Sequence, residues 1–314
     1  MSRVAVCSRS FSKHPVLRAE IAAQYPDVTF NDAGIALKGD ALIDYLRGHE
    51  MAVVALEPVT DEVLAAVPEL RVIAKYGVGY DSLDLAAMQR HGVALGWQGG
   101  VNKRSVSELV ICFAVDLLRH VSLGDREIRA GEWLLRPGRQ LSDRTVGIVG
   151  CGHVGKDLAK LLRAFGCQVL AHDILDFQDF YETHGIEACG LEDLLRRADI
   201  VTLHLPRDAS TMNILSADRL GLMRPDSLLI NAARGGLVDE AALKDMLRDG
   251  RIAGAAFDVF ATEPPEDPDL VNLPNFLATP HTGGSTDEGI LAMGHAAIAG
   301  LSEHRVPEPG VHPL

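Results

Sequence analysis

Three stretches of this chain combine residue types that do chemistry with positions at the ends of apolar runs. Thr145 to Lys156 reads TVGIVGCGHVGK, in which Gly150, Gly152 and Gly155 fit G-x-G-x-x-G directly after a five-residue apolar run. In such a turn the first glycine permits the bend and the second lets backbone approach a pyrophosphate. The third permits close packing of helix on strand, and the helix N-terminus adds N–H donors and a positive dipole. The next apolar run, QVLAHD, ends at Asp173, 18 residues beyond Gly155. A carboxylate there would take the adenosine ribose hydroxyls and repel a 2′-phosphate, so the pair predicts a dinucleotide site that favours NAD over NADP. The alternative is a glycine-rich turn without a ligand. Residues 230 to 240, INAARGGLVDE, end an apolar run with Arg234 among small residues. A guanidinium is costly to bury alone, so this position points to a ligand; a surface ion pair is the alternative. In TPHTGGST, His281 follows Pro280 and precedes Gly283 and Gly284. Its reference pKa near the working pH suits proton transfer, against the alternative of a satisfied core histidine.

Short apolar runs alternate with helix-length amphipathic segments along most of the chain. Residues 4–7, 51–56 and 72–74 read as strands, with helical spacing over 14–24 and 39–47. A second series of strands is expected over 145–149, 168–171, 200–203, 227–230, 253–259 and 276–278, with a helix over 156–165. Such alternation predicts βαβ units and doubly wound parallel sheets, an α/β fold. Between the two series, SVSELVICFAVDLLRHV (105–121) offers Ser105 and Glu108 as a capping box. It is apolar around most of its circumference, as a domain-bridging or dimer-interface helix would be; core burial is the alternative. The last helix is expected over 286–304, before a Pro-rich tail.

With 314 residues the chain predicts two domains. A net charge of −13 argues against a nucleic-acid partner. The five cysteines (7, 112, 151, 167, 189) form no CxxC, so neither a disulfide framework nor a metal site is expected, and a reducing cytoplasm is. MSRVAVCSRS lacks the apolar core of a signal peptide, and no apolar run reaches membrane-spanning length, so no membrane partner is expected.

Taken in order, GCGHVG (150–155), VTLHLP (201–206), INAARGGLVDE (230–240), AFDVFATEPP (256–265) and TPHTGGST (279–286) resemble the D-isomer-specific 2-hydroxyacid dehydrogenase family over nearly the whole chain. The resemblance implies two Rossmann-like domains. The substrate-binding domain spans 1–98 and is completed by 287–314, and the NAD-binding domain spans 99–286. It implies catalytic roles for Arg234, Glu263 and His281. Arg234 binds the substrate carboxylate and polarises the 2-keto oxygen, which suits a guanidinium fork. His281 is the general acid, and Glu263 orients its ring and keeps it protonated. His153 and Val154 lie against the pyrophosphate, Leu205 and Pro206 flank the adenosine, and Ala232, Asp258 and Gly283 lie on the nicotinamide side. The loop KYGVGYDSLD (75–84) resembles the family's substrate side, where backbone N–H groups of Tyr76, Gly77, Val78 and Gly79 would hold the carboxylate as an anion nest.

The activity implied is hydride transfer between NAD and a 2-oxo or D-2-hydroxy acid, in a homodimer. KYGVGYDSLD and HTGGST look most like the phosphoglycerate dehydrogenase branch, and the chain ends soon after its last helix, so no serine feedback through a further domain is expected. Glyoxylate or hydroxypyruvate reduction is the alternative within the class, and a non-catalytic NADH-sensing protein of the corepressor type is the alternative outside it. Glu263 argues against formate dehydrogenases, which carry Gln there, and Val78 against phosphite dehydrogenases, which carry Lys. Trp97-Gln98-Gly99-Gly100 departs from the family's Thr-Pro-Gly. Lys103 and Arg104 follow as either a second anion site or a solvated helix start, and Lys75 as a candidate cleft residue.

Overall fold

The computed structural model describes residues 2–308. The expected end of the substrate domain, at 314, lies outside them. The chain forms two compact units, one from the described residues up to Asn102 together with those from Asp287 on, the other from Lys103 to Thr286.

The first unit carries β1 (Val4–Val6), β2 (Val28–Phe30), β3 (Met51–Val54), β4 (Val72–Lys75) and β5 (Ala94–Gly96) in the parallel order β2-β1-β3-β4-β5. β1, β4 and β5 are buried throughout and, apart from Lys75 at the end of β4, read as apolar runs, as strands covered on both faces do. The strand expected over 51–56 stops at Val54, because the Glu57 carboxylate takes the Ala55 N–H (2.5 Å) and turns the chain. The last helix, Asp287–Gly300, is shorter than the expected 286–304. A Cβ on Gly96 would stand 2.0 Å from the Gly300 carbonyl, so the two glycines let the helix end lie against β5. Beyond it the chain pairs with β5 in an antiparallel bridge between Leu95 and Arg305.

The second unit carries β6 (Thr145–Val149), β7 (Gln168–His172), β8 (Glu187–Ala188), β9 (Ile200–Leu203), β10 (Leu228–Asn231), β11 (Gly254–Phe257) and β12 (Phe276–Ala278). All pair in parallel in the order β12-β11-β10-β9-β6-β7-β8. The order reverses between β6 and β9, and in such sheets the crevice beyond the carboxyl ends of the strands flanking the reversal is where ligands bind.

The helix Lys103–Arg119 starts before Ser105, so the expected capping box does not form; the Ser105 hydroxyl instead bonds the Thr286 hydroxyl at 2.7 Å. Arg104 lies in the exposed first turn of this helix and is already paired. Its Nε and Nη2 make a bidentate pair with Asp157 on the helix His153–Ala164, both at 2.9 Å. Lys75, at the end of β4, is 3% exposed and donates to the Ala55 carbonyl. Among the described residues no helix is long and apolar enough to cross a membrane.

Candidate active site

β6 ends at Val149 and the chain turns through Gly150-Cys151-Gly152 into the helix His153–Ala164. Two of the motif's glycines are required by internal packing. Gly150 has φ +94°, and a Cβ on it would stand 2.5 Å from the His204 carbonyl at the end of β9. A Cβ on Gly155 would stand 2.2 Å from the Gly150 carbonyl, so a methyl there separates the helix from the turn. Gly152 differs, since no atom lies within 4 Å of where its Cβ would be. Gly152 is the N-cap and offers no side-chain acceptor to the first N–H groups of a 12-residue helix. Open space beside uncapped N–H groups is what a pyrophosphate fills, so this turn fits NAD.

Asp173 follows β7. Its Oδ2 accepts from the Cys151 N–H at 2.6 Å and its Oδ1 from the Leu175 N–H at 2.9 Å. The carboxylate is thus tied to the glycine turn, and each oxygen keeps acceptor capacity for ribose hydroxyls. Burial and the neighbouring Lys103 and Lys156 push the His153 pKa down. The Lys156 ammonium lies 3.4 Å from the centroid of the Phe177 ring, a cation–π contact that fastens the helix to the segment after β7. Leu205 reaches within 2.9 Å of where a Cβ on Gly150 would be, which places it beside the turn, and Pro206 follows with its carbonyl bonded by the Thr211 hydroxyl at 2.8 Å. His204, the residue before, bonds the Thr202 hydroxyl through Nε2 (3.0 Å), and burial pushes its pKa down to about 3.

Beyond β10 the Asn231 side chain bends the chain. Its oxygen accepts from the Ala233 N–H (3.1 Å) and its amide donates to the Arg234 carbonyl (2.9 Å). Ala232 is buried and Arg234 half-buried, with Nη1 on the Ala233 carbonyl at 2.6 Å. A Cβ on Gly235 would stand 1.7 Å from the Phe260 carbonyl, so only glycine lets the Arg234 loop lie on the loop after β11. In that second loop the Phe260 N–H donates to Glu263 Oε1 (3.1 Å), and Glu263 Oε2 meets His281 Nδ1 at 2.8 Å. Successive contacts therefore link the loops that carry Arg234, Glu263 and His281. The carboxylate on Nδ1 fixes the proton there and leaves Nε2 as the ring nitrogen without a protein partner among the described residues.

His281 has φ +54°, a left-handed conformation uncommon for a residue with a Cβ and concentrated at functional sites. Asp258, 1% exposed at the end of β11, holds the segment around it. Its Oδ1 accepts from the Thr279 hydroxyl (2.6 Å), the Thr282 N–H (2.7 Å) and the Thr282 hydroxyl (3.2 Å), and its Oδ2 from the Gly283 N–H (2.8 Å). The Asp258 carbonyl accepts from the His281 N–H at 2.9 Å.

Tyr76, Gly77, Val78 and Gly79 belong to the first unit, after β4. The Tyr76 ring packs edge-on against Phe11, Gly77 has φ +128°, and the Val78 carbonyl accepts from the Trp97 indole at 2.8 Å. Trp97, read from the sequence only as a departure from the family's Thr-Pro-Gly, therefore braces this loop. Sequence reasoning missed the threonines at 279 and 282 and the Arg104–Asp157 clamp. The threonines flanking His281 were the available signal for the first; the second joins residues 53 apart and left none. Among the described residues no cluster of three or more His, Cys, Asp or Glu side chains could hold a metal.

Residues 111–283 match the family model described as D-isomer specific 2-hydroxyacid dehydrogenase, NAD binding domain. The chain is 32% identical over 267 residues to a D-3-phosphoglycerate dehydrogenase of Methanocaldococcus jannaschii, covering 84% of this chain and 51% of that protein. It is 34% identical over 240 residues to a glyoxylate reductase of Korarchaeum cryptofilum, covering 74% and 72%. A solved structure, the TT0316 protein of Thermus thermophilus, superposes with a TM-score of 0.85 at 30% identity, covering 98% of this chain and 100% of that one. The chain spans about half the length of the D-3-phosphoglycerate dehydrogenase it matches. With the switch-point glycine turn, the acid after the second strand and the linked Arg, Glu and His loops, these matches place the chain in the D-isomer specific 2-hydroxyacid dehydrogenase family.

Proposed function

We propose that this chain interconverts a 2-oxo acid and a D-2-hydroxy acid with NAD as the hydride carrier, in the manner of the phosphoglycerate dehydrogenase branch. The observation that carries this reading is the 2.8 Å contact between His281 Nδ1 and Glu263 Oε2, on a loop whose backbone is held in an uncommon conformation. NAD, when bound over the Gly150–Gly155 turn, supplies or accepts the hydride at C2 of the acid. Arg234 holds the substrate carboxylate with its guanidinium fork and draws electron density from the 2-keto oxygen. His281 Nε2 gives its proton to that oxygen during reduction and takes it back during oxidation. Glu263 keeps the Nδ1 proton in place and offsets the imidazolium charge. Backbone N–H groups of Tyr76 to Gly79 are proposed to hold the substrate carboxylate, and His153, Val154, Leu205, Pro206, Ala232, Asp258 and Gly283 to contact the cofactor.

Glyoxylate or hydroxypyruvate reduction is the second reading, supported by the match to a glyoxylate reductase over 72% of its length. The commitment of Arg104 to Asp157 also removes one candidate for binding a second anionic group.

The protein is further proposed to be a cytoplasmic homodimer without a nucleic-acid partner. The helix Val121–Arg129 buries none of its residues, and Trp133 and Leu135 after it are 87% and 95% exposed, an apolar face that a second copy would cover. Light scattering giving the mass of one chain would refute the dimer. All five cysteines are unpaired, as a reducing compartment requires, and the charge of −13 opposes phosphate backbones. The catalytic assignment is tested by His281→Asn. Turnover should fall by roughly two to four orders of magnitude while NADH affinity is kept; unchanged turnover would remove the histidine from the mechanism.

A further inference from the structure

We propose that Lys103 and His153 form a two-cation clamp for the cofactor's pyrophosphate, and that His153 takes up a proton when the cofactor binds. The inference rests on the NAD assignment of the Gly150–Gly155 turn. The family resemblance implies only that residues 153 and 154 lie against the pyrophosphate; the charge at Lys103 and the proton at His153 are additional.

Lys103 opens the helix Lys103–Arg119, and His153 opens the helix His153–Ala164. The two helices are bonded to each other at their starts. Arg104 holds Asp157 through two hydrogen bonds of 2.9 Å, and the Ser107 hydroxyl donates to the Val154 carbonyl at 3.5 Å. Two helix N-termini, each the positive end of a dipole, therefore stand side by side, and neither helix has an acidic residue in its first turn. Lys103 and His153 are exposed, and His153 directly follows Gly152, beside which the space is open. The acids of the neighbouring elements are already engaged. Asp157 is paired with Arg104, and Asp173 accepts from the Cys151 and Leu175 N–H groups. The third cation, Lys156, rests on the Phe177 ring.

Cations at helix N-termini oppose the dipoles, so this cluster is unfavourable until an anion joins it. A pyrophosphate carries two negative charges, which match Lys103 and a protonated His153. In the free chain, burial and the like charges of Lys103 and Lys156 hold the His153 pKa below its ordinary value. A bound pyrophosphate acts in the opposite sense and raises it. The protonated form therefore binds the cofactor more tightly, and affinity rises as pH falls from the bound-state pKa towards the free-state one.

ADP-ribose is the probe, because it carries the pyrophosphate without the nicotinamide and so keeps His281 out of the titration. Adenosine is the control that lacks the pyrophosphate. Calorimetry on the full chain, from about pH 5.5 to about pH 8.5 in buffers of different ionisation enthalpy, gives both Kd and the protons taken up. In the parent, the Kd for ADP-ribose should fall roughly three- to tenfold towards acid pH, with proton uptake, and adenosine should show neither effect. His153→Asn should abolish both the uptake and the pH dependence. Lys103→Met should weaken ADP-ribose roughly two- to fivefold at the alkaline end. It should also raise the pKa of His153 in the free chain, read from the ring C–H resonance by NMR. A Kd that does not change with pH in the parent overturns the proposal, as does a pH dependence that survives in His153→Asn. Unchanged affinity and an unmoved resonance in Lys103→Met remove Lys103 from the clamp and overturn it as stated. If neither ADP-ribose nor NADH binds at any pH, the cofactor assignment itself fails and the proposal falls with it.

Discussion

Gly152→Ala separates cofactor binding from folding at this site better than the other two glycines of the motif. The parent residue has φ −75° and ψ −145° and nothing within 4 Å of where the Cβ would go. Alanine therefore meets no atom, a modest backbone cost is partly offset by a stiffer unfolded chain, and stability should change by no more than about 1 kcal/mol. The methyl occupies the space in which the pyrophosphate would approach the first N–H groups of the helix. Losing one charge-assisted hydrogen bond there costs about 2–3 kcal/mol, or roughly a 30- to 150-fold weaker NADH affinity. Gly155→Ala should behave in the opposite way. Its Cβ meets a backbone carbonyl at 2.2 Å, so helix and turn must part, and stability should fall by about 1–3 kcal/mol or more. Fluorescence titration with NADH and chemical denaturation, run on both variants, give the two quantities. Unchanged NADH affinity in Gly152→Ala refutes the assignment of this open space to the cofactor. Equal destabilisation by the two substitutions refutes the packing described for Gly155.

Other perturbations bear on the remaining assignments. Arg234→Lys should raise the KM for the acid far more than the Kd for NADH, because a point charge cannot replace a fork; an unaffected KM places the carboxylate elsewhere. Asp173→Ala should narrow the preference for NADH over NADPH, and because Asp173 also holds the Cys151 N–H it should weaken both cofactors somewhat. An unchanged NADH-to-NADPH ratio means another residue reads the ribose. His204 predicts a pH dependence of stability. Its folded pKa of about 3 lies below the ordinary value near 6.5, so the unfolded chain binds the extra proton, and the stability it contributes is complete above pH 6.5 and lost as pH falls towards 3. At pH 5 the loss is roughly 2 kcal/mol. His204→Asn should flatten this part of a denaturation-versus-pH curve, and an unchanged slope would show that His204 is protonated without penalty.

Much of the site was legible because its chemistry is local in sequence. The Gly150–Gly155 turn, Asp173 at the end of the next strand, and His281 in TPHTGGST each lie within a few residues of an apolar strand that announces them. Strands of four or five buried residues, such as Thr145–Val149 and Ile200–Leu203, are read from composition alone. Val28–Phe30, Ala94–Gly96 and Glu187–Ala188 escaped; Val28–Phe30 is only partly buried and Glu187–Ala188 exposed, so neither stands out as an apolar run. Ser105 was misread because the helix begins two residues earlier and the hydroxyl finds a partner 181 positions away. The same physics hid the Arg104–Asp157 clamp and the hold of Asp258 on the His281 loop. A charged group's partner is chosen by tertiary packing, and no local pattern records it.

The most direct test of the account is to follow NADH absorbance while the chain is offered glyoxylate, hydroxypyruvate, phosphohydroxypyruvate, pyruvate, a branched 2-oxo acid and 2-oxoglutarate, with NADPH in parallel. NADH should be oxidised, faster than NADPH, with at least one of these acids, and the D-hydroxy product should form. Selection of phosphohydroxypyruvate would support the phosphoglycerate dehydrogenase-like reading, and selection of glyoxylate or hydroxypyruvate the second one. Tight NADH binding without turnover of any acid would contradict the account and make the chain a sensor of the cofactor.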